Sequence, residues 1–217
     1  VVHETRDGQV SIVADVPRGD IAKVEDKSIP GPAGDIAIRI YDSRPDREAG
    51  PVMVFYHGGY WHLLDKSLFD FLAPTFLKNN ITSVFINYPL APVASLDTIV
   101  SSCRKAMRWV HDNIIRFNGD PSQLYIMGHS AGGHLASMLL AEDLSFLKGV
   151  VSLSGLFRLE PVMLSWLNDV LRMDRDIAER NSPVFLKPAN SCPLLLVMGA
   201  DETDEFKDQT VEMYNSW

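Results

Sequence analysis

Leu124-Tyr125-Ile126-Met127-Gly128-His129-Ser130-Ala131-Gly132-Gly133, running on into His134-Leu135-Ala136-Ser137-Met138-Leu139-Leu140-Ala141, is the stretch that decides how this chain folds. A short apolar run of strand length ends on a glycine. A stretch that is small and apolar nearly all round, the pattern of a buried helix, begins just beyond it. Between the two stands G-x-S-x-G, from Gly128 to Gly132. In so sharp a strand-to-helix turn the serine takes a strained backbone, and a side chain at either glycine would strike the neighbouring strand or helix. Ser130 is therefore expected at the sheet edge, its hydroxyl exposed over the positive end of a helix dipole, as a candidate nucleophile.

Other segments repeat the alternation of strand and helix. Ile36, Ile38 and Ile40 share one face of a half-exposed strand over Ile36–Tyr41. Val52–Tyr56, Ser83–Asn87, Val150–Leu153 and Leu194–Met198 are continuous apolar or β-branched runs, the form of parallel strands covered on both faces. Ser67 to Asn79 is expected as a helix, with Ser67 and Asp70 at capping-box spacing and Phe71, Leu72 and Phe76 inward. Leu96 to Phe117 sets Leu96, Ile99, Val100, Cys103, Met107, Val110 and Ile114 at intervals of three and four. Thr203 to the end reads as a last helix with Phe206, Thr210 and Met213 on one side. Turn residues gather at 29–35, 43–51, 118–122 and 187–193, and the link from Ala141 to Leu147 is unusually short. Strand alternating with helix implies a doubly wound, mostly parallel α/β sheet with its functional loops at the carboxyl ends of the strands. One domain is expected over 1–217: an N-terminal extension over 1–23, then the core over 24–217.

Composition agrees with a globular domain. Of 217 residues, 46% are hydrophobic and 22% charged, which excludes disordered, collagen-like and coiled-coil chains. A net charge of −8 argues against a nucleic-acid partner, which needs a basic face. No run is long enough to span a bilayer, and the first ten residues carry charges where a signal peptide needs an apolar core. Two cysteines make no disulfide framework, so a soluble, cytoplasmic protein is expected.

A second motif follows the Val52–Tyr56 run: His57-Gly58-Gly59-Tyr60-Trp61. Adjacent glycines after a strand let backbone N–H groups face a developing oxyanion, and the N–H of Ala131 would be their partner donor. Tyr60 and Trp61 are expected to wall the substrate site. His57 is placed to bond the loop backbone. His62, His129 and His134 are each better explained without general-base work, since His129 and His134 cannot easily swing to the serine hydroxyl.

Together these residues resemble the α/β-hydrolase superfamily, in particular its hormone-sensitive-lipase-like esterases and the kynurenine formamidase (arylformamidase) group. His57-Gly58-Gly59-Tyr60-Trp61 looks like the formamidase form of the oxyanion loop, with Tyr60 where most relatives have a third glycine. Gly128 to His134 is similar to the elbow of the same group, and Tyr88-Pro89-Leu90-Ala91-Pro92 to a turn common to both branches. Ser154-Gly155-Leu156-Phe157 and Leu159-Glu160-Pro161 resemble the formamidases after the sixth strand. Val24 to Pro32 looks instead like the opening of the bacterial lipase-like esterases, so the chain mixes features of two branches.

The resemblance implies a triad in the order serine, acid, histidine. The acid should follow the Leu194–Met198 strand. Registering Glu205-Phe206 on the formamidase pattern puts Glu202 there, with Asp201 as the alternative. Asp204 and Glu205 read as the acidic first turn of a helix. The histidine should lie beyond the acid, but no histidine follows His134 in the sequence, so a chain continuing past Trp217 is expected to supply the base. The reaction implied is cleavage of a small carboxylic ester or aryl formamide, such as N-formylkynurenine, through an acyl-enzyme. No metal or cofactor is implied, and oligomeric state is not legible. The alternatives are a carboxylesterase of the lipase-like branch without formamidase activity, and a non-catalytic binding protein that lacks the base.

Overall fold

The apolar runs become the strands of one central sheet. The computed structural model describes residues 2–4, 10–12, 21, 23–42, 48–189 and 191–217. Most of the expected extension 1–23, positions 43–47 of the 43–51 turn, and Asn190 of the 187–193 turn lie outside the described residues. β1 (Val2–Glu4) and β2 (Val10–Ile12) pair antiparallel as a separate ribbon. The main sheet holds β3 (Lys23–Gly31), β4 (Gly34–Asp42), β5 (Gly50–Tyr56), β6 (Thr82–Ile86), β7 (Gly119–His129), β8 (Leu147–Leu153) and β9 (Leu194–Val197). Its order is β3-β4-β6-β5-β7-β8-β9. β3 pairs antiparallel with β4 and β4 with β6, whereas from β6 through β5, β7 and β8 to β9 every pairing is parallel.

Side-chain alternation along these strands builds two cores. Ile38, Ile40, Val52, Val54, Tyr56, Val84 and Ile86 point to one face, where α2 (Leu96–Asn113) and α3 (Ala131–Met138) cover them. Tyr41, Phe55 and Phe85 point the other way, onto Phe69, Ala73 and Leu77. With the sheet buried from both sides, the doubly wound α/β architecture read from the sequence is the one observed. All seven apolar positions expected to face inward from Leu96 to Ile114 are at most 1% exposed. Ser95 caps this helix, its side chain accepting from the Thr98 N–H.

Four local expectations are corrected. The 67–79 helix splits into a 3-10 turn, Lys66–Leu72, and α1 (Ala73–Lys78), because Pro74 has no N–H to continue a helix and fits only its first turn. The cap is Asp65, which accepts from the Ser67 N–H, and the buried residues are Phe69, Ala73 and Leu77, with Phe71 and Leu72 half-buried against them and Phe76 outside that cluster. The 118–122 turn contracts to Asn118 in a left-handed conformation, and β7 already starts at Gly119, paired with Gly50 of β5 across an irregularity in register. Finally, β9 lies at an edge of the sheet. Leu195 is 57% and Val197 43% exposed, so this run is covered on one face only.

The remaining elements cross between these strands. The short link after α3 is a 3-10 turn, Leu139–Ala141, closed by the Leu147 N–H donating to the Leu144 carbonyl. Three short helices follow β8: α4 (Glu160–Met163), α5 (Asn168–Leu171) and α6 (Arg175–Arg180). The last helix, α7 (Asp204–Ser216), follows β9 and buries Gln209 and Met213. Among the described residues, no helix is long and apolar enough to cross a membrane.

Candidate active site

Four parallel strands, β5, β7, β8 and β9, end at one edge of the sheet, and the predicted site residues lie just beyond those ends. Ser130 stands between β7 and α3 with φ 55° and ψ −119°, the left-handed backbone that a sharp elbow demands. Its N–H donates to the Leu153 carbonyl at 2.8 Å, and its carbonyl accepts from the His134 N–H at 3.0 Å. The two glycines of the motif are needed for close approach. A Cβ at Gly128 would run into the Gly132 carbonyl, and one at Gly132 into the Tyr56 carbonyl at the end of β5. Strand, nucleophile helix and neighbouring strand therefore touch backbone to backbone around Ser130.

The glycine loop after β5 comes to the same place. A Cβ built at Gly58 would lie 3.3 Å from the Ser130 Cβ and 2.9 Å from the His129 carbonyl, so the loop passes directly beside Ser130. Gly59 has φ +106°, and a Cβ there would strike the Leu63 carbonyl. The Gly59 carbonyl closes the loop by accepting from His62 N–H at 3.1 Å and Leu63 N–H at 2.9 Å. Ala131, the other expected donor, is the first residue of α3, where a helix N–H has no carbonyl one turn back.

His57 is locked into the loop it opens. Its Nδ1–H donates to the Gly58 carbonyl at 2.8 Å, and its ring stacks on Tyr88 at 4.3 Å. The Tyr88 hydroxyl donates to the His57 carbonyl at 2.8 Å. Burial pushes the His57 pKa down from 6.5 to about 4, so the ring is neutral at neutral pH. The two aromatics expected to wall the site point in opposite ways. Tyr60 is 43% exposed, whereas Trp61 is wholly buried and its indole Nε1–H donates to His134 Nδ1 at 3.1 Å. A side chain without accessible surface offers a substrate no wall, so Trp61 is a core residue and Tyr60 alone keeps that expectation.

The acid candidates lie after β9. Glu202 is half-buried, and its Oε1 accepts from the Ser154 hydroxyl at 2.7 Å. Ser154 directly follows β8 with φ 46°, and its N–H donates to the Val197 carbonyl at 2.7 Å. Asp201 is exposed, and Asp204 and Glu205 form the acidic first turn of α7. Glu202 also reaches His129 electrostatically: desolvation lowers the pKa of that ring, and the carboxylate opposes the shift.

Sequence reasoning passed over three residues here. Ser154 holds the acid candidate; its place immediately after a parallel strand, like that of His57 and Ser130, was the signal that could have found it. Tyr88 lay within a quoted motif without a role. Gln209 is buried in α7, and its Oε1 accepts from the N–H groups of Phe157 and Arg158 at 2.8 and 2.9 Å, fastening the helix after the acid to the loop after β8. Gln209 leaves no pattern in the sequence.

The family model described as BD-FAE matches residues 38–151, just over half the chain, from β4 to within β8 and across both glycine motifs. The chain belongs to the BD-FAE family. Within the curated proteins, this BD-FAE chain is 31% identical over 177 residues to the kynurenine formamidase of Salmo salar, covering 76% of the chain and 59% of that protein. It is 38% identical over 125 residues to the carboxylic ester hydrolase LipN of Mycobacterium tuberculosis, covering 55% of the chain and 33% of that protein. The BD-FAE chain thus spans about three-fifths of the kynurenine formamidase it matches. Among solved structures, an esterase of Pyrobaculum calidifontis superposes with a TM-score of 0.80 at 27% identity, over 90% of this chain and 72% of that one. The architecture is that of the α/β-hydrolases, as the sequence resemblance implied.

Proposed function

We propose that this chain carries the nucleophile, oxyanion loop and acid of a serine hydrolase that cleaves a small carboxylic ester or an aryl formamide. The observation that carries the reading is Ser130 in a left-handed elbow with Gly58 packed against it. In this mechanism Ser130 Oγ attacks the substrate carbonyl carbon and gives its proton to a histidine base. The tetrahedral oxyanion lies among the N–H groups of Gly58, Gly59 and Ala131. One such donor is worth about 2.7–4 kcal/mol in the transition state. The protonated base then passes its proton to the leaving alcohol or arylamine, and an acyl- or formyl-enzyme remains for water to hydrolyse.

Glu202 orients the base, with the Ser154 hydroxyl holding its carboxylate. His57 and His134 are committed to backbone and indole partners, so neither ring is placed to serve as that base. The exposed ring of Tyr60, beside the oxyanion loop, favours a flat aromatic group at the scissile bond. That preference agrees with the likeness to kynurenine formamidase. A soluble cytoplasmic enzyme of one domain, free of metal and cofactor, is part of the same proposal.

The test uses the full-length gene product. A fluorophosphonate probe should label it, and Ser130→Ala should abolish both labelling and turnover. Turnover of N-formylkynurenine compared with a short-chain aryl ester separates the two substrate classes. Good esterase activity without formamidase activity would move the protein to the lipase-like branch. Absence of labelling and of both activities would instead favour a binding protein.

A further inference from the structure

Trp61 and His134 belong to different motifs, one five residues after the end of β5 and the other four residues after Ser130, yet their side chains meet in the core. We propose that His134 is a positioning residue of the oxyanion loop, latching Trp61, and with it Gly58 and Gly59, to the helix that carries the nucleophile. The proposal rests on the reading of Ser130 as nucleophile.

Geometry sets the direction of every bond in the latch. The Asn181 carbonyl lies 2.7 Å from His134 Nε2, and a carbonyl only accepts, so Nε2 carries the proton. Nδ1 is then a lone pair, and the Trp61 indole, which only donates, points its Nε1–H at it over 3.1 Å. The two rings meet edge to face at 87°, an arrangement that lets the indole N–H point into the plane of the imidazole. Both side chains are 0% exposed, so no water competes for either bond.

The anchor itself is fixed from behind. Asn181 donates from its side-chain amide to Asp97 Oδ1 at 2.7 Å, and Asp97 also takes Arg180 at 2.6 Å. The end of α6 and the first turn of α2 thereby hold the carbonyl that sets the tautomer of His134.

The loop needs such a latch because its backbone opposes itself. Gly59, Tyr60 and Trp61 stand in succession at φ 106°, 51° and 61°. A left-handed backbone is unfavourable for a tyrosine and more so for two aromatics in a row, and it persists only where the surroundings over-determine it. Trp61 is where the surroundings grip: its indole is held by His134, and its carbonyl accepts from the Ala91 N–H at 2.9 Å. The same turn of α3 holds Ser130, whose carbonyl accepts from the His134 N–H. His134 therefore fixes the spacing between nucleophile and oxyanion donors while touching no reacting atom.

The experiment compares His134→Leu, His134→Gln and Trp61→Phe in the full-length protein. Leucine removes both nitrogens at similar volume. Glutamine keeps one acceptor and one donor, able to serve Trp61 and Asn181 together. Phenylalanine removes the indole donor together with the five-membered ring and keeps an aromatic side chain in the core. Misplacing the loop should cost H134L about 10-fold or more in kcat with little change in KM, because the donors act in the transition state. H134Q should recover most of that loss, and W61F combined with H134L should lose no more than the larger single variant. The ¹⁵N–¹H indole resonance of Trp61, assigned by its disappearance in W61F, should shift upfield in H134L and return in H134Q. That readout needs no turnover, so it supports or overturns the contact even if the wild type fails as a hydrolase. An active wild type with a folded H134L at unchanged kcat would overturn the latch. So would an indole resonance that H134L leaves in place, or a W61F/H134L pair whose losses simply add.

Discussion

Acid should destabilise this protein through two buried imidazoles before any carboxylate responds. His57 and His134 are 1% and 0% exposed. Burial lowers each from its ordinary 6.5 to about 4, opposed only in part by the carbonyl each ring bonds. In the unfolded chain both rings take up a proton near pH 6.5. In the folded chain they resist until about pH 4. Between those values the unfolded state binds more protons, so stability is complete above the unfolded pKa and is lost as pH falls through the window. At about 1.36 kcal/mol per pH unit, each ring gives up ~2 kcal/mol between pH 7.5 and 5, and the pair ~4 kcal/mol. Against a typical total of about 5–15 kcal/mol, that is a large share. His62 and His129, also lowered by burial, act in the same direction.

The carboxylates answer in a different range. Despite desolvation that raises it, Asp65 is held at about 2 by the Ser67 N–H and the Asn87 amide. Arg39 holds Asp26, and Arg180 holds Asp97, below the ordinary 3.8. The stability they contribute is present above their unfolded values and lost only as pH falls below about 4. Urea unfolding at pH 7.5, 6 and 5, followed by far-UV circular dichroism, isolates the histidine window. A free energy of unfolding constant within about 1 kcal/mol across that range would refute the assignment of both rings as neutral and buried. His134→Gln, which has nothing to titrate, should show a visibly shallower slope.

Three substitutions, one of them a comparison at Gly149, probe the elbow and the acid candidate. Gly132→Ala places a methyl against the Tyr56 carbonyl and 2.7 Å from the His57 carbonyl, both backbone atoms that cannot turn aside. A loss of about 3 kcal/mol or more in urea unfolding is expected. Gly149→Ala, which meets only a tyrosine ring at 3.2 Å, should cost under about 1 kcal/mol. Ser154→Ala removes the hydroxyl that donates to Glu202 at 2.7 Å. A hydrogen bond to a charged group is worth about 1.5–3 kcal/mol, less where solvent can replace it, so kcat should fall roughly tenfold with KM and melting temperature nearly unchanged.

How much of this was legible follows from the range of the interactions. The strands and α2 were readable because one face of each buries side chains at fixed intervals, and periodicity survives in the sequence whatever packs against it. The elbow was readable because backbone crowding at Gly128 and Gly132 leaves only glycine, a constraint written into two letters. Trp61 was misread for the opposite reason. Its partner, His134, lies seventy-three residues away, and nothing local tells a buried indole from one lining a cleft. The helix expected at 67–79 begins only at Ala73 because Pro74, with no N–H, decides where the helix can start, whatever the apolar spacing of Phe71, Leu72 and Phe76. Gln209, polar and buried, escaped because its reason is a pair of backbone N–H groups on another loop.

The order of strands explains why the candidate site residues gather at this edge. In the sheet β5, β7, β8 and β9 are consecutive neighbours, although other elements separate them along the chain. They run in one direction, so all four chain reversals fall at the same end. The groups that follow them therefore stand in a row: the glycine loop after β5, Ser130 after β7, Ser154 after β8 and Glu202 after β9. Neighbouring strands are about 4.8 Å apart, so the first two groups touch and Glu202 stands two strands from Ser130. That interval leaves about the width of an imidazole between serine and carboxylate. The oxyanion donors lie on the opposite side of Ser130, where a carbonyl oxygen must sit if the proton is to leave toward the base. A general base for this site must therefore approach over β8, between Ser130 and Glu202, in the space beside Ser154.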